Sequence, residues 1–481
     1  MMSKKLFVQR VGLISLTNFL ISLSGIILLP ILTKKLPIEE YGIWVQVGVT
    51  ISLLPVILNL GLPYAMVRFL AVKKDKKEVQ EGFYSIVIIV FLMSTMGMFL
   101  LLLLSKPLAV NFLGDRVDLV NILSLMIPIT SINAVCLNFF RTFQHIKRYT
   151  LFTFIQTYIM LVLVAYTLLS GYGIFEAVLC RFLSQIIIFL LMISLIISNI
   201  GVKIPNFSHI REYLDFGIPT IPSNLSYWIV ESSDRYVIGY LLGLSFVGYY
   251  SPGYGLGSLI RMFVAPLGFL LPPVLSKLYD ENKIPEVKAY LEYSLKYFLM
   301  FAIPSAFGIS LLSKSLLTSL STSEIAFHGY LVTSFVALSM ILYGVRSIIT
   351  HVIILVKKTK ITGSIWLMAG IMNLGLNLIF VPYFGIVGAA FTTFMSYAFT
   401  LVLTIHYSFK YLKFNIDFHF ILKSIFASII MSLVIIKYNP IGALNIQITI
   451  GICAIVYFVI LLLLRGIKKE EIKFFRQLLR I

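Results

Sequence analysis

The chain has 481 residues, of which 59% are apolar and only 12% charged, roughly half the charge expected of a soluble domain. That composition excludes an ordinary soluble enzyme, and because apolar stretches recur from Gly12 to Arg465 with no polar region between them, the whole chain reads as membrane. Its 39 Lys and Arg against 20 Asp and Glu give a net charge of +19, an excess that suggests nucleic acid in a soluble protein and here must first be tested against loop position.

A spanning helix takes roughly 20 residues. Hydropathy, punctuated by turns and charges, places spans at 12–32, 42–63, 83–104, 119–140, 149–169, 173–197, 213–239, 247–272, 290–312, 329–355, 361–381, 385–406, 418–437 and 444–464. Joints as short as Ser170-Gly171-Tyr172 and Pro382-Tyr383-Phe384 make their flanking spans antiparallel hairpins. The expected fold is an all-α polytopic membrane protein of about 14 transmembrane helices.

The first span follows Lys4, Lys5 and Arg10 and ends in Leu32-Thr33-Lys34-Lys35 without a small-x-small cleavage site, so it is expected to stay in the mature protein. It carries Asn18, Ser22 and Ser24. The fourth span holds Asn133 and Asn138, and the fifth Gln156 and Tyr158. These groups suit a polar head group such as a sugar, or hydrogen bonds between helices. Pro128, Pro219, Pro222 and Pro266 free backbone groups inside spans and permit bending. Cys136, Cys180 and Cys453 fall in different spans with no metal spacing, and read as core thiols.

Ionisable residues inside a membrane are costly, about 2.5 to 3.5 kcal/mol each on insertion scales, and usually face a cavity or each other. The sixth span carries Glu176 and Arg181, the seventh Glu231, Asp234 and Arg235, the eighth Arg261, and the tenth Arg346 with His351. Glu231 and Arg235 are four apart and can neutralise each other. Arg261 and Arg346 have no acid within helical reach on their own spans. They lie about 14 and 17 residues in from the outer starts of those spans, whereas Arg181, Glu231, Asp234 and Arg235 lie in the outer half. A phosphate-bearing ligand is the sharper reading for Arg261 and Arg346, with Tyr or carbonyl partners as the structural alternative. Glu176, Glu231 and Asp234 are candidates for a coupling proton or sodium ion; no other cofactor and no metal site is expected.

Counted loop by loop, about 27 of the Lys and Arg fall on the side of the N-terminus, including Lys73-Lys74-Asp75-Lys76-Lys77, Arg141, Lys147, Arg148, Lys357, Lys358, Lys360 and the tail from Arg465 to Arg480. Both termini are therefore expected in the cytoplasm. The positive charge then records topology and contact with anionic lipid rather than nucleic acid.

The chain also repeats itself. Arg10-Val11-Gly12 resembles Asp215-Phe216-Gly217, Leu36 to Trp44 lines up with Leu242 to Tyr250, and Gly171-Tyr172-Gly173-Ile174 matches Tyr383-Phe384-Gly385-Ile386. The offset stays between about 205 and 212 throughout, and six spans, an even number, separate the copies. Two six-helix lobes related as parallel repeats follow, 1–205 and 206–412, with two further helices and a basic tail in 413–481; such repeats place substrate at their interface. No GxxxxGK[ST] loop, HExxH or soluble segment able to house a nucleotide-hydrolysing domain occurs.

The stretch from Asp234 to Gly243, followed by Val247-Gly248-Tyr249-Tyr250-Ser251, resembles the seventh-to-eighth helix junction of polysaccharide flippases of the Wzx type, in the multidrug/oligosaccharidyl-lipid/polysaccharide exporter superfamily. Leu36 to Gly42 is similar to the matching junction of the first half, and the resemblance covers the whole chain. It implies a V-shaped two-lobe bundle that flips a polyprenyl-phosphate-linked oligosaccharide to the outer leaflet by alternating access, for surface polysaccharide assembly. It further implies a monomer in the plasma membrane of a prokaryote, beside a polysaccharide polymerase or glycosyltransferases. Asp234 and Arg235 take the motif positions; Arg261 and Arg346 fit only the general pattern of cationic cavities. The first span departs from the peptidoglycan-precursor branch in lacking its arginines. Two alternatives remain. A cation-coupled drug exporter should present acids to its cavity, and a membrane glycan polymerase or ligase should carry catalytic acids on a sizeable outer loop, for which only Asp115 and Asp118 are at hand.

Overall fold

The computed structural model describes residues 4–73 and 75–466, with side chains from residue 12 onward. Lys74, the basic tail beyond 466 and the side chains of Lys4, Lys5 and Arg10, all used above to set orientation, lie outside the described residues. In chain order the helices are α1 Lys4–Lys35, α2 Ile38–Leu58, α3 Leu62–Phe69, α4 Lys76–Leu103, α5 Ser105–Phe112, α6 Val117–Thr142, α7 Ile146–Leu169, α8 Ile174–Ile200, α9 Ile210–Gly217, α10 Ile221–Leu242, α11 Leu244–Ser258, α12 Ala265–Asp280, α13 Ile284–Leu320, α14 Ser323–Leu355, α15 Thr359–Tyr411, α16 Phe418–Tyr438 and α17 Ala443–Leu463. Lipid imposes this outcome, because a backbone without water must satisfy its own hydrogen bonds.

Among the described residues 12 helical runs are long and apolar enough to cross a membrane. One of them, α15, is two helices joined where Gly385 takes φ 59° and ψ −144°, a conformation suited to glycine. Helix α10 stays outside that group because it carries Glu231, Asp234 and Arg235. Counting α15 twice and adding α10 restores the fourteen crossings expected from the sequence. The chain is thus an all-helical, multi-pass membrane protein.

Proline breaks two of the expected spans. The span expected at 213–239 is α9, a 3-10 turn Ile218–Thr220 that contains Pro219, and α10 with Pro222 in its first turn. The span expected at 247–272 is α11, a 3-10 segment Leu259–Phe263, and α12 with Pro266 in its first turn. Both new starts use proline where its missing N–H costs nothing.

Two compact units emerge, one of Leu16–Gly248 and the other of the chain from Tyr249 onward together with the start of α1 up to Ser15. Within the first, two apolar layers are stacked along the helix axes. One gathers Leu28, Tyr41, Leu113, Met126, Leu168 and Val178, the other Leu62, Phe83, Ile132, Phe139, Ile188 and Ile196. Between them lie the polar side chains of Asn133, Gln156, Arg181, Ser184 and Gln185. The two repeated junctions pack against each other in the same unit. A Cβ added to Gly42 would stand 2.0 Å from the Leu244 carbonyl oxygen, and one added to Gly248 would stand 2.7 Å from that of Ile38. Ile38 and Gly42 correspond to Leu244 and Gly248 in the repeat, so the contact is reciprocal and needs a bare Cα on both copies.

In the second unit the α15 hairpin is fastened by buried amides and hydroxyls: Asn373 Nδ2 donates to Ser396 Oγ, Asn377 Nδ2 to Asn373 Oδ1, and Thr392 Oγ1 to Asn377 Oδ1. Tyr457 of α17 joins three helices, its hydroxyl donating to the Met300 carbonyl of α13 at 2.8 Å and lying 2.8 Å from Ser424 Oγ of α16. An apolar groove of about 310 Å³ opens between those helices, lined among others by Phe301, Gly308, Met431, Ile450 and Phe458.

Candidate functional site

The charged residues singled out in the sequence are held in three different ways. Asp234 and Arg235 pair with each other on α10: Arg235 donates from its backbone N at 2.9 Å and from Nη1 at 2.6 Å to Asp234 Oδ1, with both side chains buried. The same Nη1 reaches back one turn to the Glu231 carbonyl at 2.6 Å. Desolvated charges need this kind of short, charge-assisted contact. Glu176 sits in the first turn of α8, where Oε2 accepts from the Gly173 N–H at 3.0 Å. It therefore caps the helix, satisfying an orphan donor at the positive end of the dipole.

The remaining arginines rest on aromatic rings. Arg346 of α14, 4% exposed, lies over Trp366 of α15 with Cζ 4.1 Å from the ring centroid. Arg261 lies over Tyr343 of α14 at 5.2 Å, its Nη2 3.5 Å from Met340 Sδ. Arg261 belongs to the 3-10 segment that interrupts its span, the sort of break that brings polar backbone to a membrane site. In the first unit Arg181 of α8 lies over Trp44 of α2 at 5.0 Å. A ring face attracts a cation through its quadrupole, so each of these guanidiniums is steadied by the helix packed beside it.

The polar residues divide in the same fashion. Asn133 Nδ2 donates to the Gln185 carbonyl at 3.0 Å and to its Oε1 at 2.9 Å, and Gln156 Nε2 donates to that same Oε1 at 2.9 Å. Asn133 and Gln156 thus tie α6 and α7 to α8 through one glutamine. Asn18 is exposed on α1, its carbonyl accepting from Ser22 Oγ at 3.0 Å. The α2 and α10 faces meet through Thr50 and Tyr236, whose hydroxyls are 2.6 Å apart, and through Trp228 Nε1, which donates to Ser52 Oγ at 2.9 Å.

Residues 7–279 match the family described as polysaccharide biosynthesis protein. The chain belongs to that family. A curated relative of this polysaccharide biosynthesis protein is the "Probable low-salt glycan biosynthesis flippase Agl15" of Haloferax volcanii, 26% identical over 277 residues; the match covers 57% of this chain and 58% of the relative. Among solved structures, lipid II flippase MurJ in an inward closed conformation shares the fold with a TM-score of 0.78 at 19% identity, over 93% of this chain and 97% of that one. An inward-facing multidrug resistance MATE family transporter of the MOP superfamily follows with a TM-score of 0.71 at 16% identity, over 81% and 94%.

Several residues of this polysaccharide biosynthesis protein escape a reading of the sequence. The Asn373/Asn377 and Thr392/Ser396 pairs carry a usable signal, since each recurs at four residues within an apolar span and so lines one helix face. Gln185, Trp44 and Trp366 carry none; their roles arise from which helix packs beside them.

Proposed function

We propose that this protein flips a polyprenyl-phosphate-linked oligosaccharide from the cytoplasmic to the outer leaflet by alternating access, for surface polysaccharide assembly. The observation that carries the reading is that two arginines, Arg261 and Arg346, stand in membrane-spanning elements of one unit, over the rings of Tyr343 and Trp366. A diphosphate is matched by guanidinium groups held in place. The apolar groove between α13, α16 and α17 offers a surface on which a polyprenyl chain is soluble. A cation-coupled drug exporter is the competing reading; against it, the arginines Arg181, Arg235, Arg261 and Arg346 outnumber the acids Glu176, Glu231 and Asp234 inside the spans. A polymerase or ligase would need reactive acids, whereas Asp118 accepts from Arg116 at 2.6 Å.

The rest of the assignment follows from the same reading. Both termini lie in the cytoplasm of a prokaryotic cell, in lobes 1–205 and 206–412 with two added helices. The protein works as a monomer beside polymerase or glycosyltransferase partners. Asn18, Asn133 and Gln156 are our candidates for the glycan path, and Glu176, Glu231 and Asp234 our candidates for a coupling proton or sodium ion. Proteoliposomes containing a fluorescent lipid-linked oligosaccharide test the core of it. Translocation without change in substrate mass is expected, and Arg261→Glu with Arg346→Glu should abolish it. Export that survives both charge reversals would remove the phosphate clamp, and a product of altered mass would make the protein an enzyme.

A further inference from the structure

Within the first unit, α2 uses its faces for different purposes. Tyr41, Trp44, Val47 and Ile51 belong to the apolar layer that joins α2 to the other helices of its own repeat. Toward residues 228–248, which come from the second copy of the repeat, α2 presents a seam about 20 Å long. Its register is antiparallel: Gly248 meets Ile38, Leu244 meets Gly42, Gly239 lies opposite Gln46, Tyr236 meets Thr50, and Trp228 meets Ser52. Thr50 and Ser52 have hydrogen-bond partners across the seam. Gln46, in the middle of it, does not. Its side chain is 0% exposed, a Cβ added to Gly239 would stand 3.9 Å from its Nε2, and among the described residues neither Nε2 nor Oε1 has a hydrogen-bond partner. An amide that gives up water and gains no bond in return is a costly group to bury.

A buried unsatisfied group is a reservoir of strain, and here the strain exists only while the seam is shut. Parting α2 from residues 228–248 would return the Gln46 amide to water, while the apolar layer on the other face of α2 stays packed. Such a group raises the closed state relative to the open one and so shifts the population between them. We propose that the seam between α2 and residues 228–248 is a closure that parts during transport, and that the unpartnered Gln46 amide biases it toward opening. This deepens the flippase reading and rests on it for what the opening serves. An apolar side chain of the same length at position 46 would hold the seam shut.

The test uses the purified full chain in lipid nanodiscs, with its three native cysteines replaced and spin labels at Glu39→Cys and Leu241→Cys, two exposed positions on opposite sides of the seam. Pulsed EPR without cargo should resolve a short and a long distance in this parent protein. Gln46→Met keeps the length and flexibility of the side chain and removes the amide. It should raise the ratio of short to long about tenfold, the effect of relieving one buried unsatisfied group, and should raise the thermal midpoint as well. Gln46→Leu repeats the measurement if the methionine variant does not elute as the parent does. A parent found only at the short distance, or a ratio that the substitution leaves unchanged, overturns the inference. So does a lowered thermal midpoint, or failure of both variants to fold, because either would mean that the amide stabilises the closed seam. A shifted ratio in a protein that translocates no lipid-linked oligosaccharide in proteoliposomes would instead retire the transport reading alone, and translocation with an unchanged ratio would retire the closure alone.

Discussion

An arginine inside a bilayer persists only when something takes the place of water around it. In this protein three of four do so with a ring: Arg181 on Trp44, Arg261 on Tyr343 and Arg346 on Trp366. The fourth, Arg235, takes a carboxylate. Two of the chain's three tryptophans are placed in this way. For Arg346 the ring should contribute about 2 kcal/mol, as it is desolvated. Trp366→Leu should therefore lower the thermal midpoint in detergent clearly more than Trp366→Phe, which keeps a π face. Equal losses for the two variants would mean that Trp366 only fills space. At the same scale, Gln185→Leu removes one acceptor shared by Asn133 and Gln156. It should cost about 1–2 kcal/mol, near the upper end measured for hydrogen bonds between membrane helices, and more than Gln156→Leu in the same thermal assay.

Helix boundaries and breaks follow from glycine and proline, and here the sequence is most informative. Pro219, Pro222 and Pro266 permit bending, and the structure shows two interruptions beside them, each a 3-10 segment followed by a new helix start. The repeat was legible in Gly42 and Gly248 at a constant offset, and packing explains why: each approaches the backbone of the other copy too closely for a side chain. Gly42→Ala and Gly248→Ala should each destabilise by about 1–3 kcal/mol through overpacking. Gly375→Ala makes the matched control, because nothing stands within 4 Å of its added Cβ, and alanine there should be neutral or stabilising by up to about 1 kcal/mol. Thermal unfolding of the three variants side by side decides the point. By contrast, the Gln185 hub and the ring beneath Arg346 could not be read from spacing, since partners 52 residues from Asn133 and 20 from Arg346 meet only after the helices have packed. Periodicity identifies a face; it does not identify the neighbour.

For the whole molecule, the +19 charge and the fourteen crossings are linked, because basic loops fix which side each helix starts from. The expected orientation decides the direction of transport and the depth of every arginine discussed. It can be tested without knowing the cargo. The three native cysteines give little background, Cys136 and Cys453 being buried and Cys180 half-buried, and all three can be replaced by alanine or serine. On the orientation expected from the sequence, Tyr172 and Tyr383, 58% and 81% exposed at hairpin turns, face the outer side, and exposed Lys77 and Lys357 face the cytoplasm. A membrane-impermeant maleimide applied to intact cells should label Tyr172→Cys and Tyr383→Cys, and should reach Lys77→Cys and Lys357→Cys only after permeabilisation. The opposite pattern would place Arg181 near the cytoplasm, reverse the leaflet to which cargo is delivered, and leave the positive charge of the chain without its topological explanation. A mixed pattern, with one hairpin turn on each side, would break the even count of spans between the repeats, and with it their expected parallel relation.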